Sequence, residues 1–63
     1  MKIEQKILEI IKANGHLNHL GTICHAMRYK HSFAIVEKHL KKMVVEGKIE
    51  RVSYGDYEEI RAI

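Results

Sequence analysis

The sequence S-F-A-I-V-E-K-H-L-K-K-M-V-V-E-G, from Ser32 to Gly47, predicts one amphipathic helix with both of its ends marked. The Ser32 hydroxyl suits the N-cap position, because its oxygen can accept a hydrogen bond from a free amide of the first turn. Gly47 suits the position just after the helix, because glycine enters the left-handed conformation there without a steric penalty. We expect the rest of the chain to pack around this helix.

Apolar residues recur along this helix at the spacing of one helical face. The face expected to pack on the core consists of Phe33, Val36, Leu40, Met43 and Val44. The opposite face carries Ala34, Ile35, Lys38, Lys41, Lys42 and Val45. A mostly cationic face of this kind suits an anionic partner, although lysines on a helix commonly form a merely solvated surface.

Length and composition limit the classes of protein to consider. The 63 residues are expected to form one domain, residues 1–63, with a core so small that a homodimer is expected to complete it. With 46% hydrophobic and 30% charged residues, the composition is that of an ordinary globular protein. No apolar run approaches the ~20 residues of a membrane span, and the N-terminus has no signal-peptide core. We therefore expect a cytoplasmic protein without a membrane partner. The single cysteine cannot form an intrachain disulfide.

The positive charge is concentrated around the central helix. The formal net charge is only +3, but residues 28–51 hold seven Lys/Arg against three acids. Residues 52–63 hold three acids and one arginine. Clustering of this kind favours a polyanionic partner.

Two further helices are expected before the central one. Residues 2–13 carry isoleucines at helical spacing, and Asn14-Gly15 is expected to end that helix. Residues 16–18 form a short connection, with one or two residues of strand and Asn18 as the N-cap of the next helix. That helix is expected over residues 19–28, and its buried positions are Leu20, Ile23, Cys24 and Met27. Residues 29–31 then make a short turn, as in a helix-turn-helix arrangement.

After Gly47 the pattern changes to that of a β-hairpin. Residues 48–53 are expected to form the first strand and residues 57–63 the return strand, joined by Gly55-Asp56. A two-residue loop places Glu50 opposite Arg61 and Tyr54 opposite Tyr57, and both are favourable cross-strand pairs. Neither strand alternates cleanly, so the register stays open by one residue.

This order of elements resembles that of a winged helix-turn-helix domain. The run G-H-L-N at 15–18 resembles the family's link between its first two helices, and S-F-A-I-V-E-K-H-L-K-K-M at 32–43 resembles its recognition helix. The run E-G-K-I-E-R-V at 46–52 is the most specific part. Many winged-helix repressors, including the arsenical-resistance and multiple-antibiotic-resistance groups, leave the recognition helix through Glu-Gly and enter the wing with Ile and Arg. The resemblance implies an α+β fold, mostly α: a three-helix winged helix-turn-helix with a C-terminal β-hairpin wing.

The resemblance also implies a small transcriptional regulator, such as a repressor, that binds specific sites on double-stranded DNA. Residues 32–46 would then enter the major groove. Carried over by position, the family's contacts fall on Ser32, Ala34, Ile35, Lys38 and Lys41. The chemistry of the side chains adds Lys30 and Lys42 as phosphate contacts and Arg51 at the base of the wing. Ala34 and Ile35 can contact only thymine methyl groups.

Three alternatives remain beside DNA binding. The strongest is a winged helix that binds a protein, favoured by the apolar Ala34, Ile35 and Val45 and by a wing tip without Lys or Arg. A zinc site among His16, His19, Cys24 and His25 is disfavoured, because adjacent residues of a helix point about 100° apart. An enzyme is disfavoured because no phosphate loop or activated nucleophile is evident. We expect no metal, no other cofactor and no small-molecule ligand.

Overall fold

The computed structural model of the chain describes residues 3–14 and 18–63. Three α-helices come first: α1 (Ile3–Asn14), α2 (Leu20–Ala26) and α3 (Phe33–Val45). They are followed by two strands, β1 (Ile49–Tyr54) and β2 (Tyr57–Ala62), which pair as an antiparallel hairpin. The predicted fold class, α+β and mostly α with a C-terminal β-hairpin, is confirmed.

One apolar core joins all five elements. The buried side chains of the core are Ile7, Ile10, Ile11, Ile23, Cys24, Met27, Val36, Leu40, Met43, Ile49 and Ile60. Ile3 and Leu20 pack at its margin. The predicted stripes of α1 and α2 are therefore confirmed. The stripe of α3 is narrower than predicted, because Phe33 is 51% exposed and Val44 39% exposed.

Both ends of α3 are capped as predicted. The Ser32 hydroxyl oxygen accepts a hydrogen bond from the Ile35 amide at 3.2 Å. Gly47 has a φ of +75°, and its amide donates to the Val44 carbonyl at 3.0 Å. The amide of Lys48 donates to the Met43 carbonyl at 3.0 Å, which completes a Schellman ending. α3 is therefore defined by local chemistry at both ends.

α2 is shorter than predicted, ending at Ala26 and not at Arg28. The amide of Arg28 bonds to the His25 carbonyl at 2.8 Å, and the amide of Tyr29 bonds to the Cys24 carbonyl at 3.0 Å. This is a second Schellman ending, with Arg28 in the position that glycine usually occupies. Arg28 has a φ of 58° and Tyr29 a φ of 55°. No glycine marks the end of α2, so the sequence pattern extended the helix too far.

The start of α2 also differs from the prediction, because its N-cap is His19 and not Asn18. The Nδ1 atom of the His19 ring accepts a hydrogen bond from the Thr22 amide at 3.3 Å. This ring explains Gly21, since a Cβ at that position would lie 3.1 Å from the ring's Cε1 atom. The N-cap rule favours asparagine, but Asn18 is needed elsewhere in the fold.

Asn18 is fully buried and connects α1 to the hairpin. Its carbonyl accepts a hydrogen bond from the Ile60 amide at 2.8 Å, forming a single antiparallel bridge to β2. Its side-chain amide donates to the Ile11 carbonyl at 3.3 Å, and its side-chain oxygen accepts from Asn14 at 3.3 Å. The predicted residue of strand is therefore present at Asn18. Gly15, His16 and Leu17, on which the rest of that prediction fell, lie outside the described residues.

The hairpin has the predicted register. Glu50 pairs with Arg61, and Tyr54 pairs with Tyr57 across the two-residue turn. Gly55 takes a φ of +66° in that turn. The observed β1 begins one residue later than predicted and extends to Tyr54, while α1 ends one residue later than the predicted 2–13. Lys2 lies outside the described residues.

Replacing Asn18 by alanine is expected to destabilise the protein by about 2 kcal/mol, because the buried Ile11 carbonyl loses its side-chain donor. Urea denaturation of Asn18→Ala beside Asn14→Ala measures this. Asn14 is exposed and its substitution is expected to cost well under half as much. Equal losses for the two variants would contradict the structural importance assigned to Asn18.

Candidate nucleic-acid interface

The outer face of α3 is an exposed helical surface that carries three lysines. Val36, Leu40 and Met43 are fully buried and fix how the helix is rotated on the core. The residues predicted on the other side are all exposed: Ala34, Ile35, Lys38, Lys41, Lys42 and Val45. The structure therefore brings together the five α3 residues proposed from sequence as DNA contacts.

The three lysines of this face differ in their partners. Within the described residues, no ion pair involves Lys38. Lys41 lies 3.9 Å from a Glu37 carboxylate oxygen, yet its side chain is 74% exposed. Lys42 lies 3.5 Å from Glu4 and is 61% exposed. Exposed pairs at these distances are weak and can be exchanged for another anion at little cost.

The N-terminal end of α3 presents the two other predicted phosphate contacts, Lys30 and Ser32. Both are exposed. The Ser32 oxygen is occupied as an acceptor by the Ile35 amide, which leaves its O–H free to donate. An anion at this end is also favoured by the partial positive charge of the helix N-terminus.

Arg51 differs from the other predicted contacts because its guanidinium is bound within the protein. Nη1 and Nη2 each donate to the Glu37 carboxylate at 2.9 Å. Nη2 and Nε also donate to the Glu58 carboxylate, at 3.0 and 3.2 Å. The Arg51 side chain is only 19% exposed. In this structure Arg51 joins α3 to both strands of the hairpin.

The ionisation of this cluster is stabilised by its geometry. The hydrogen bonds from Arg51 lower the pKa of Glu37 below its ordinary value of 4.5, against the opposing effect of burial. The same hydrogen bonds with Glu37, followed by those with Glu58, raise the pKa of Arg51. Glu37 and Arg51 are therefore both charged at neutral pH. Sequence reasoning missed Glu37 and Glu58, because nothing local shows that they converge on one guanidinium.

A second cluster ties the other side of α3 to α1. The Nδ1 atom of His39 lies 2.9 Å from a Glu4 carboxylate oxygen, and Lys42 lies 3.5 Å from the same oxygen. The hydrogen bond with His39 is the main cause of a lowered Glu4 pKa, with a smaller contribution from Lys42. A carboxylate that already has partners therefore lies on each side of the cationic face: Glu37 on one side and Glu4 on the other.

Exposed aromatic rings lie at both ends of the expected interface. Tyr54 and Tyr57 contact each other at the hairpin tip with ring centroids 5.8 Å apart. Tyr29 stacks on Phe33 at 6.4 Å and meets the edge of His25 at 5.8 Å. Sequence reasoning missed the second group, because it placed Phe33 in the core and left Tyr29 in an undefined turn.

Alternative site chemistries gain no support from the described part of the chain. Among residues 3–14 and 18–63, no three His, Cys, Asp or Glu side chains are grouped to hold a metal ion. His16, one member of the disfavoured zinc set, lies outside those residues. Burial raises the pKa of the Cys24 thiol, which weakens it as a nucleophile. None of the helices in the described ranges is long and apolar enough to cross a membrane.

Comparison with known proteins found no matching family model, no matching curated protein and no matching solved structure.

Replacing Arg51 by methionine is expected to cost about 2 kcal/mol of unfolding free energy, because two carboxylates then face each other without a cation. Arg61→Met is the matched control on the same hairpin. Its ion pair with Glu50, at 3.2 Å, is more exposed, so its loss should cost under about 1 kcal/mol. Chemical denaturation of both variants checks the difference. Equal costs would show that Arg51 does not hold the hairpin against α3.

Stability is expected to fall in acid partly through Glu37. Because its folded pKa lies below the ordinary 4.5, its contribution is complete above that value. The contribution is lost as the pH falls through the lowered folded pKa. Urea denaturation between about pH 6 and about pH 3 measures this loss, and Glu37→Gln should show a shallower decline over that window. An unchanged decline in the variant would contradict the assignment.

Proposed function

We propose that this protein binds double-stranded DNA as a small winged helix-turn-helix transcriptional regulator, with the outer face of α3 in the major groove. The observation that carries the proposal is the exposed set of Lys38, Lys41 and Lys42 on a helix whose other side is packed on the core through Val36, Leu40 and Met43. A helix presented in this way has the dimensions that the major groove admits. Lysines along it suit phosphates at the groove edges.

The position of each predicted contact on or near α3 suits it to a different part of the DNA. Lys38 has no ion pair within the described residues, so its ammonium group is free for a phosphate or a guanine edge. Lys30 and the Ser32 hydroxyl flank the helix N-terminus, where a phosphate is favoured. Ala34 and Ile35 offer methyl groups, which suit thymine. Binding of this kind combines strong electrostatics with limited direct reading of bases.

The connectivity also favours a winged helix. The bridge between Asn18 and Ile60 adds one residue of a third strand beside β2. Arg51 holds the hairpin beside α3, which is where a wing would contact the DNA backbone. We therefore propose a positioning role for Arg51, acting through Glu37 and Glu58, in place of the direct DNA contact expected from sequence.

A second candidate function is binding of another protein through the same region. The observation in its favour is the exposure of large apolar side chains on and beside α3. Val45 is 87% exposed, Tyr29 60%, Phe33 51% and Ile35 45%. Exposed apolar side chains that cluster often mark an interaction surface. These residues also suit the homodimer expected from the length of the chain.

The salt dependence of binding to a mixed-sequence DNA duplex tests the DNA proposal. The wild type is expected to lose affinity steeply as salt rises, with a slope of about −0.9 per phosphate contact. Lys38→Ala/Lys41→Ala should reduce that slope by about two contacts. Lys6→Ala/Lys12→Ala is the matched control, since it removes the same charge from α1.

The two variants distinguish a bound face from general attraction. Equal slopes for both double variants would place the phosphates elsewhere than on α3. Absence of binding by the wild type at low salt would reject DNA as the partner. The exposed Ile35 and Val45 would then become the residues to test for binding of a protein.

A further inference from the structure

A cleft separates the beginning of α1 from the turn that joins α2 to α3. Its volume is about 330 Å³, and its lining residues are Ile3, Lys6, Ala26, Met27, Arg28, Lys30 and His31. The apolar lining side chains are Ile3, Ala26 and Met27, of which Met27 belongs to the core. A volume of this size is at the lower end of the range used for small-molecule ligands.

The polar side chains that line the cleft all belong to basic residues: Lys6, Arg28, Lys30 and His31. Lys6, Arg28 and Lys30 are exposed, and no ion pair involves them in the part of the chain that the structure describes. By contrast, Lys41, Lys42 and Arg51 each have a carboxylate partner. No acidic residue lines the cleft. Three unpaired cations around one concavity repel each other, and a bound anion would relieve that repulsion.

The nearest acid on α1 is directed to another partner. Glu4 lies one turn or less from both Ile3 and Lys6 in the sequence, yet its carboxylate is bound to His39 and Lys42. The Glu4 carboxylate is therefore already paired, and Glu4 is not among the residues that line the cleft. The positive end of the α1 dipole lies on the same side as Ile3 and adds to the attraction for an anion.

The backbone at the rim of the cleft gives an independent indication. Arg28 has a φ of 58°, in the region where glycine carries no steric cost, and Tyr29 follows with 55°. An arginine in this conformation is strained relative to glycine. Residues held in such conformations cluster at ligand-binding sites. The strained backbone is therefore a second indication of a ligand site at Arg28, whose side chain lines the cleft.

We propose that this cleft binds a small organic anion, one with an apolar body and a carboxylate or phosphate group. The apolar body lies against Ile3, Ala26 and Met27, and the anionic group is held by Lys6, Arg28 and Lys30. The apolar lining favours an organic anion over a simple inorganic one. This proposal goes beyond DNA binding and does not depend on it, because the cleft shares only Lys30 with the residues proposed to contact DNA and none with the outer face of α3.

Binding of 1-naphthoate, followed by NMR of the labelled protein, tests the proposal. Saturable shifts are expected in the amides of Lys6 and of residues 26–31. The uncharged 1-naphthalenemethanol and inorganic phosphate are each expected to bind at least about tenfold more weakly, because each supplies only half of the contacts.

Two double variants with the same change of charge complete the test. Lys6→Gln/Arg28→Gln should bind 1-naphthoate about tenfold more weakly, because two charge contacts are lost. Lys12→Gln/Lys38→Gln also removes two unpaired lysines, but outside the cleft, and should keep the affinity within about twofold. The amide spectrum of each variant verifies its fold.

The proposal is overturned by any one of three results. The first is the absence of saturable shifts around the cleft. The second is equal binding of the uncharged ring compound, which would indicate apolar contact alone. The third is equal weakening in both double variants, which would indicate general attraction of an anion by a cationic protein.

Discussion

The attachment of the hairpin to α3 depends on one guanidinium held between two carboxylates. Arg51 donates to Glu37 on α3 and to Glu58 on β2, with four donor–acceptor distances of 2.9 to 3.2 Å. A planar guanidinium can satisfy two carboxylates in a way that a lysine ammonium cannot. The apolar core brings the elements together, but it does not direct one side chain to another across the hairpin. The cluster therefore fixes the relative positions of the two elements that the proposed DNA complex uses.

Among the described residues, the ion pairs divide the basic side chains into those that have a carboxylate partner and those that do not. Glu4 on α1 pairs with Lys42 of α3, and Glu37 on α3 pairs with Arg51 of the hairpin. The lysines that point outward keep most of their exposure. Three other cations have no carboxylate partner among the described residues: Lys6, Arg28 and Lys30. These three line the cleft between α1 and the turn that joins α2 to α3. Although the net charge is only +3, the protein has two positive surfaces, the outer face of α3 and the cleft beside α1.

The two ends of α2 depart from the usual residue preferences at helix ends, and the tertiary structure gives a reason for each. Asn18 would serve well as an N-cap, but its buried side chain supplies a donor to the Ile11 carbonyl. His19 caps α2 instead, and its ring leaves little room for a Cβ at position 21. Arg28 occupies the left-handed end of α2 where a glycine would be less strained. In the first case a long-range hydrogen bond outweighs a local preference. In the second, the proposed anion site gives a reason for keeping the arginine.

The sequence by itself determined the order of the elements, the caps of α3 and, for a two-residue turn, a hairpin register that it left open by one residue. These features follow from contacts between near neighbours: Ser32 with Ile35, Gly47 after its helix, and Tyr54 opposite Tyr57. It also determined which face of α3 carries lysines, because helical periodicity is a local property. Only the tertiary structure decided that Phe33 is exposed, that Asn18 is a buried connection and that Arg51 is bound by Glu37 and Glu58. The cleft between α1 and the turn likewise joins residues from distant parts of the chain. Such features depend on which surfaces meet after the core has formed, and no periodicity in the sequence records that.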